Sequence, residues 1–163
     1  MATSTPKVEI LLRPMLPADV PVLAAIFQAA VDELGAEDYD EGQRVAWAAL
    51  AEDELSFGRK LAAALTLVAT VKGAPVAFIS LEDREKIAML YVYPRAVRQG
   101  AASLLLNAVE RLAASRGAKR LEVDSSDVAL PFFEARGFKG QIRQSTSLGD
   151  DWLATTRMSK ALG

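Results

Sequence analysis

The sequence predicts an α/β fold of the mixed, α+β kind: a mostly antiparallel central sheet with helices on both faces. Three observations carry this. Seven short runs have the composition and spacing of strands. The helical stretches come in an irregular order, bunched before the second strand run and absent between the next two, which argues against regular alternation and an all-parallel sheet. One long amphipathic helix stands directly between two strand runs in the middle of the chain, so a single strand-helix-strand crossover is expected there. At 163 residues the chain reads as one domain spanning 1–163, with a disordered start over about residues 1–6.

The run VEILLR (8–13) is the first strand, and Pro14 with Pro17 punctuates the entry to a helix over 18–34. Val22, Ile26, Ala30 and Leu34 share one face of that helix, and Gly35 closes it. The acidic stretch 36–42 reads as a loop and 43–64 as a second helical region. LTLVATV (65–71) and PVAFISL (75–81) flank the turn residues KGA and predict a hairpin. A third strand covers 86–93 and stops at Pro94; its alternation puts Ile87, Met89, Tyr91 and Tyr93 on one face. The long helix begins near Ala101 with Leu104, Leu105, Ala108, Val109 and Leu112 along its apolar side, and Gly117 terminates it. LEVD (121–124) is the next strand, and Ser125 to Asp127 offer caps to a short helix through Arg136. QIRQSTS (141–147) and WLATTRM (152–158) form a closing antiparallel hairpin around LGDD.

Composition narrows the chemistry. The chain has no cysteine and no histidine, which removes a thiol nucleophile, an imidazole base and the commonest metal ligands together; no metal is expected. Nineteen basic against 21 acidic residues leave a net charge of -2, which favours neither nucleic acid nor an anionic membrane as partner. The opening MATSTPKVEI lacks the apolar core of a secretory signal, and no run reaches the roughly 20 apolar residues of a membrane span. A cytoplasmic location is expected.

The most informative stretch is LYVYPRAVRQGAASLLLNAVE (90–110), where a strand ends at proline and a small-residue turn feeds directly into a helix. The first amides of a helix have no internal partner and sit at the positive end of its dipole, so they suit a phosphate or pyrophosphate. Gly100, Ala101, Ala102 and Ser103 keep bulk away from that backbone, and Arg98 adds a cation. The stretch is neither a Walker loop nor a dinucleotide fingerprint, because the required lysine and the further glycines are missing.

Residues 92–110 resemble the acetyl-CoA-binding segment of the GNAT superfamily of N-acetyltransferases, V-x-P, two residues, then R/Q-x-x-G-x-G/A and a leucine-rich helix. The last part falls on Val97, Arg98, Gln99, Gly100, Ala101 and Ala102. Downstream, ALPFFEARGF (129–138) resembles the family's A-x-x-F-Y-E-x-x-G-F element, and LRPMLPADVPVLAAIF (11–27) its opening strand and helix. DYDEGQRVAWA (38–48) is similar to a bacterial subgroup. The resemblance implies a GNAT-like fold, acetyl-CoA as cosubstrate, a small-molecule or protein amine as acceptor, and, by analogy, a homodimer. It also implies cofactor contacts from Leu90, Tyr91 and Val92, from Val97 to Ser103, and from Ser126, Phe132 and Phe133. Three positions depart from the family pattern. Val97 replaces arginine or glutamine, Ser126 stands for a CoA-contacting asparagine, and Phe133 replaces the tyrosine whose phenol protonates the departing thiolate.

The family reaction is attack of a neutral amine on the thioester, with a backbone N–H near Tyr91 to Tyr93 stabilising the oxyanion. A lysine-like ammonium of pKa about 10.4 costs about 4.6 kcal/mol to deprotonate at pH 7, whereas a thiol of pKa about 8.5 leaves as thiolate for about 2 kcal/mol. The base therefore matters more than the acid. Glu82, Glu122 and Asp124 are the carboxylates on or beside central strands, with Asp124 alternatively a helix cap. Tyr91 and Tyr93 are candidates for the missing phenol, or pack with their hydroxyls at the rim. The acidic loop of Glu37, Asp38, Asp40 and Glu41 attracts a cationic amine or is simply solvated, and Trp152 walls an acceptor pocket or a dimer contact. The alternative to an enzyme is an acyl-CoA-binding regulatory or interaction module with weak catalysis.

Overall fold

A computed structural model describes residues 8–148 and 150–163. The expected disordered start, and Gly149 of the last turn, lie outside the described residues. In chain order the elements are β1 (Ile10–Pro14), α1 (Val20–Leu34), α2 (Glu41–Ala48), α3 (Glu54–Ala63), β2 (Leu65–Val71), β3 (Ala74–Glu82) and β4 (Lys86–Val92). They continue with α4 (Ala101–Ser115), β5 (Arg120–Ser126), α5 (Leu130–Ala135), β6 (Lys139–Leu148) and β7 (Asp151–Ala161). The seven strands form one sheet in the order β1-β2-β3-β4-β5-β7-β6. Every neighbour is antiparallel except β4 and β5, which α4 joins as the expected crossover.

Local chemistry explains most boundaries. Lys72 and Gly73 have φ of 52° and 82°, the left-handed pair that a two-residue hairpin turn with matching twist requires. The loop expected over 36–42 is shorter than that, because Asp40 and Gln43 form a capping box that starts α2 at Glu41. The helical region 43–64 divides in two, since the Asp53 side chain accepts from the Ser56 N–H and starts α3 afresh. The short helix α5 takes its N-cap at Ala129 rather than within 125–127, although the Ser126 hydroxyl accepts from the Ala129 N–H at 3.2 Å.

Two apolar layers sandwich the sheet. On one side Leu105, Leu106 and Val109 of α4 and Phe133 of α5 meet Ile79, Leu121 and Met158. On the other, Leu23, Ile26 and Phe27 of α1 and Phe57 and Leu61 of α3 meet Val68 and Phe78. Successive residues Phe78 and Ile79 enter opposite layers, as strand alternation demands. The apolar face of α4 differs from the expected one: Leu104 is 41% exposed, while Leu106 and Ala113 are fully buried. The sheet lies beneath Ala101, Leu105, Val109 and Ala113, spaced by four, and Leu104 turns aside toward Val8 and Ile10. In α1 the buried stripe is wider than expected and is centred on Leu23, Ile26 and Phe27.

The alternation expected for β4 fails at one residue. Ser80 pairs with Met89 but Leu81 pairs with Ile87, so Ala88 is an extra residue, a β-bulge. Ile87 therefore joins Leu90 and Val92 in the α4 layer, and only Met89 and Tyr91 face α1. Composition gives no sign of this bulge, since the residues on either side remain apolar.

Candidate active site

The bulge sits where β4 and β5 part. These strands pair only at Lys86 with Glu122 and Ile87 with Val123, and from Ala88 and Asp124 onward they share no bridge. On its other edge β4 stays zipped to β3, ending with the Tyr93 N–H donating to the Val76 carbonyl at 2.8 Å. Antiparallel alternation then gives the amides of Tyr91 and Tyr93 to β3, and turns those of Leu90 and Val92 toward the gap. The result is a wedge in the sheet with backbone donors along one wall.

Two cavities border the wedge. The larger, about 470 Å³, is lined by Leu90, Tyr91, Val92, Val97, Arg98, Gly100, Ala101, Ala102, Ser103, Ser126 and Phe132, all cofactor candidates from the sequence. The smaller, about 270 Å³, is lined by Phe27, Leu50, Met89, Asp124, Phe133, Leu148 and Leu153 among others. The two cavities share Trp47, Leu90, Tyr91, Ser126 and Ala129, so they meet at the gap. Gln99 lies in a shallow groove outside both. Tyr93 and Glu82 line neither, and Tyr93 is 38% exposed.

The floor of the larger cavity is the start of α4. Arg98 (φ 66°) and Gly100 (φ 94°) hold left-handed conformations that swing the chain sharply into the helix. Leu104 is the first amide to bond back, to the Gly100 carbonyl at 3.1 Å, and those of Ala101, Ala102 and Ser103 have no acceptor among the described residues. A Cβ added at Gly100 would meet nothing within 4 Å, so the backbone there is open to a ligand.

Arg136 escaped the sequence reading. From the end of α5 its guanidinium lies 4.1 Å from the centroid of the Phe132 ring, donates to the Ser103 hydroxyl and lines the larger cavity. It has no carboxylate partner among the described residues. The i, i+4 spacing of an aromatic residue and an arginine on a short helix was the available signal.

Asp124 is no helix cap. It lies within β5 and accepts from Arg157 Nε on β7 at 3.0 Å, with Lys86 Nζ on β4 at 3.3 Å. Burial raises its carboxyl pKa, but Arg157 and Lys86 outweigh burial and leave it below the ordinary carboxylate value. Glu122 pairs with Arg120 at 2.9 Å. Burial pushes the Tyr91 phenol well above its usual pKa, with Trp47 opposing. The Tyr91 ring sits in an aromatic cluster, with centroids 4.6 Å from Phe27, 5.9 Å from Phe78 and 6.2 Å from Trp47.

The segment 38–48 contributes Trp47 to both cavities. The buried Tyr39 hydroxyl donates to the Ala154 carbonyl at 2.9 Å and accepts from the Asp127 N–H at 2.8 Å, tying the segment to β7 and the end of β5. Gln43 Nε2 donates to the Trp152 carbonyl at 2.7 Å, and Arg44 to the Asp32 carbonyl at 2.9 Å. These anchors fix Trp47 between the two cavities. The Trp152 side chain is 61% exposed and lines neither of them, as do the four carboxylates of the acidic loop. Among the described residues no helix is long and apolar enough to cross a membrane, and no group of three or more His, Cys, Asp or Glu is placed to hold a metal ion.

The comparisons with known proteins agree. Residues 36–162 match the model of the acetyltransferase (GNAT) domain. An uncharacterized N-acetyltransferase of Escherichia coli K12, YafP, is 35% identical over 147 residues, covering 90% of this chain and 93% of that protein. A GCN5-related N-acetyltransferase of Rhodopseudomonas palustris superposes with a TM-score of 0.92 at 46% identity over 99% of both chains. PaiA N-acetyltransferase of Thermoplasma acidophilum, solved with coenzyme A, shares the fold at a TM-score of 0.77 and 18% identity, covering 94% of this chain and 99% of its own. With a domain-length family match and relatives of this closeness, the chain belongs to the GNAT family of acetyltransferases and is an acyltransferase.

Proposed function

We propose that the protein transfers the acetyl group of acetyl-CoA to an amine by direct attack in a ternary complex. The observation that carries this is the wedge between β4 and β5, bordered by two cavities that meet there. A thioester laid in the gap from the larger cavity meets an amine arriving from the smaller one, so neither substrate must leave before the other binds. Family membership supports the reading, as do PaiA solved with coenzyme A and yncA from Salmonella typhimurium solved with its cofactor acetyl-CoA.

The residues present fit that cosubstrate. The three unpartnered amides at the start of α4 and the open face of Gly100 suit a pyrophosphate, and Arg98 and Arg136 add two cations beside it. Bound there, acetyl-CoA supplies the activated acetyl group. The amides of Leu90 and Val92 donate to the acetyl carbonyl oxygen as charge develops on it. The Tyr91 phenol, held neutral by burial and bordering both cavities, keeps its proton and donates a hydrogen bond to the leaving sulfur as charge develops on it. The single sheet running from β1 to β7 supports reading 1–163 as one domain.

A second reading, a CoA-binding module with weak catalysis, is favoured by the missing hydroxyl at Phe133 and the paired state of Asp124. Thiol release from acetyl-CoA with a broad amine panel separates the two. Acceptor-dependent release above the no-enzyme rate supports transfer; binding with no release for any amine supports the module.

A further inference from the structure

We propose that the acceptor is an arylamine, an amine already uncharged at neutral pH and carried on a small flat apolar body, bound in the cavity of about 270 Å³ beside the gap. This rests on the acetyl-transfer reading and specifies its second substrate.

The walls come first. Phe27, Trp47 and Tyr91 supply aromatic faces, and Leu50, Leu148 and Leu153 supply aliphatic ones. The volume lies just below the usual range for small-molecule pockets, about 300–1,000 Å³, and suits a body of one or two rings. The polar lining is a few hydroxyls, among them Thr146 and Thr155, with Asp124 as the one charged side chain.

That carboxylate is already taken. Arg157 lies 3.0 Å away and Lys86 3.3 Å away, and neither cation lines the cavity. An ammonium entering here gives up its hydration for an apolar chamber whose single carboxylate is bound elsewhere, and a polycation does so several times over. A neutral aromatic amine gives up little and gains stacking contacts.

Proton chemistry points the same way. At pH 7 an alkylamine of pKa about 10.4 is neutral in only about one molecule in 2,500, so such a substrate needs a base. Asp124 is held acidic by its two partners, Tyr91 keeps its proton, and the Tyr39 hydroxyl is committed to Ala154 and Asp127. Glu122 and Arg120, the other charged pair near Lys86 and Arg157, lie outside the cavity. An arylamine, with its lone pair delocalised into the ring, needs no such base. The C–N bond forms at the acetyl carbon, the C–S bond breaks, and one amine proton ends on sulfur, giving an N-aryl acetamide and CoA thiol.

The test uses the purified full chain, acetyl-CoA and three acceptors at pH 7: 4-methylaniline, 4-methylbenzylamine and spermidine. Products are read by mass spectrometry and acetyl-CoA binding by calorimetry. The expected kcat/KM for 4-methylaniline exceeds that for 4-methylbenzylamine by at least about 10-fold, the gap narrowing toward pH 9 as the benzylamine loses its proton. Leu50 is 45% exposed, so Leu50→Glu leaves the core intact and sets a free carboxylate at the cavity wall. It should lower the arylamine rate several-fold and raise the benzylamine rate. Equal or better turnover of 4-methylbenzylamine or spermidine at pH 7 overturns the proposal, as does bound acetyl-CoA with no arylamine product; in both cases the cofactor site stands. Absence of acetyl-CoA binding overturns the acetyl-transfer reading itself and this proposal with it.

Discussion

Gly100 separates two effects that most binding-site mutations confuse. Its φ of 94° strains any L-residue, and a Cβ there touches nothing within 4 Å, so Gly100→Ala and Gly100→Glu share the same strain and no clash. That strain is about 1–2 kcal/mol, or a Tm lower by roughly 2–8 °C for a domain of this size. Binding should divide the two variants. A carboxylate about 5 Å from a phosphate charge costs about 3 kcal/mol at an effective dielectric of about 20, and solvent screening takes off about half. Two pyrophosphate charges then give about 3 kcal/mol, a loss of acetyl-CoA affinity of roughly 20-fold to several hundred-fold, while the alanine variant stays within about fivefold of wild type. Calorimetric titration with acetyl-CoA, paired with melting of the free variants, reads both quantities. Equal affinity for the two variants would refute the placement of the pyrophosphate at the start of α4.

Four further outcomes follow from the geometry. Arg136→Ala should weaken acetyl-CoA binding about 10-fold with little change in melting temperature, because the guanidinium has no carboxylate partner to strand; equilibrium titration checks this. Tyr91→Phe should lower kcat by up to about 30-fold, the ceiling set by the roughly 2 kcal/mol cost of a departing thiolate, while Tyr93→Phe leaves kcat unchanged; steady-state kinetics distinguishes them. Tyr39→Phe should cost about 1–2 kcal/mol in urea unfolding, since it leaves the half-buried Ala154 carbonyl and Asp127 N–H without their partner. Asp19 is lowered in pKa by its hydrogen bonds from Arg13, at 2.7 and 2.8 Å, and Asp124 by its two cations despite burial. Both stabilise the fold fully above the unfolded pKa of about 3.9, and their contribution disappears as pH falls through the lower folded values. Unfolding free energy should therefore drop on acidification below about pH 4, and Asp19→Asn should flatten that drop.

Strands, helices and the crossover were legible in the sequence because each rests on local signals. LTLVATV and PVAFISL carry their own period and turn, and Gly100 with Pro94 marks the strand-to-helix junction. What the sequence hid depends on residues far apart in the chain. The Ala88 bulge shows only in the register with β3, where Leu81 skips to Ile87, and it reverses the face of Ile87. The pairing of Asp124 with Arg157 needs β7 laid beside β5 across 33 residues, so the same aspartate read locally looks like a helix cap. The role of segment 38–48 was hidden in the same way: the Tyr39 contacts 88 and 115 residues away anchor it, and Trp47, buried in the core, lines both cavities. The larger cavity was largely readable because it is built from one contiguous stretch with a few partners; the smaller one draws on α1, β4, β5, β6 and β7.

A crystal structure with acetyl-CoA bound shows where the thioester and the pyrophosphate lie. We expect the pyrophosphate within hydrogen-bond distance of the amides of Ala101, Ala102 and Ser103, and the thioester between β4 and β5 with its carbonyl oxygen facing the Leu90 or Val92 N–H. A thioester lying outside that gap, or a pyrophosphate held away from α4, would contradict that placement.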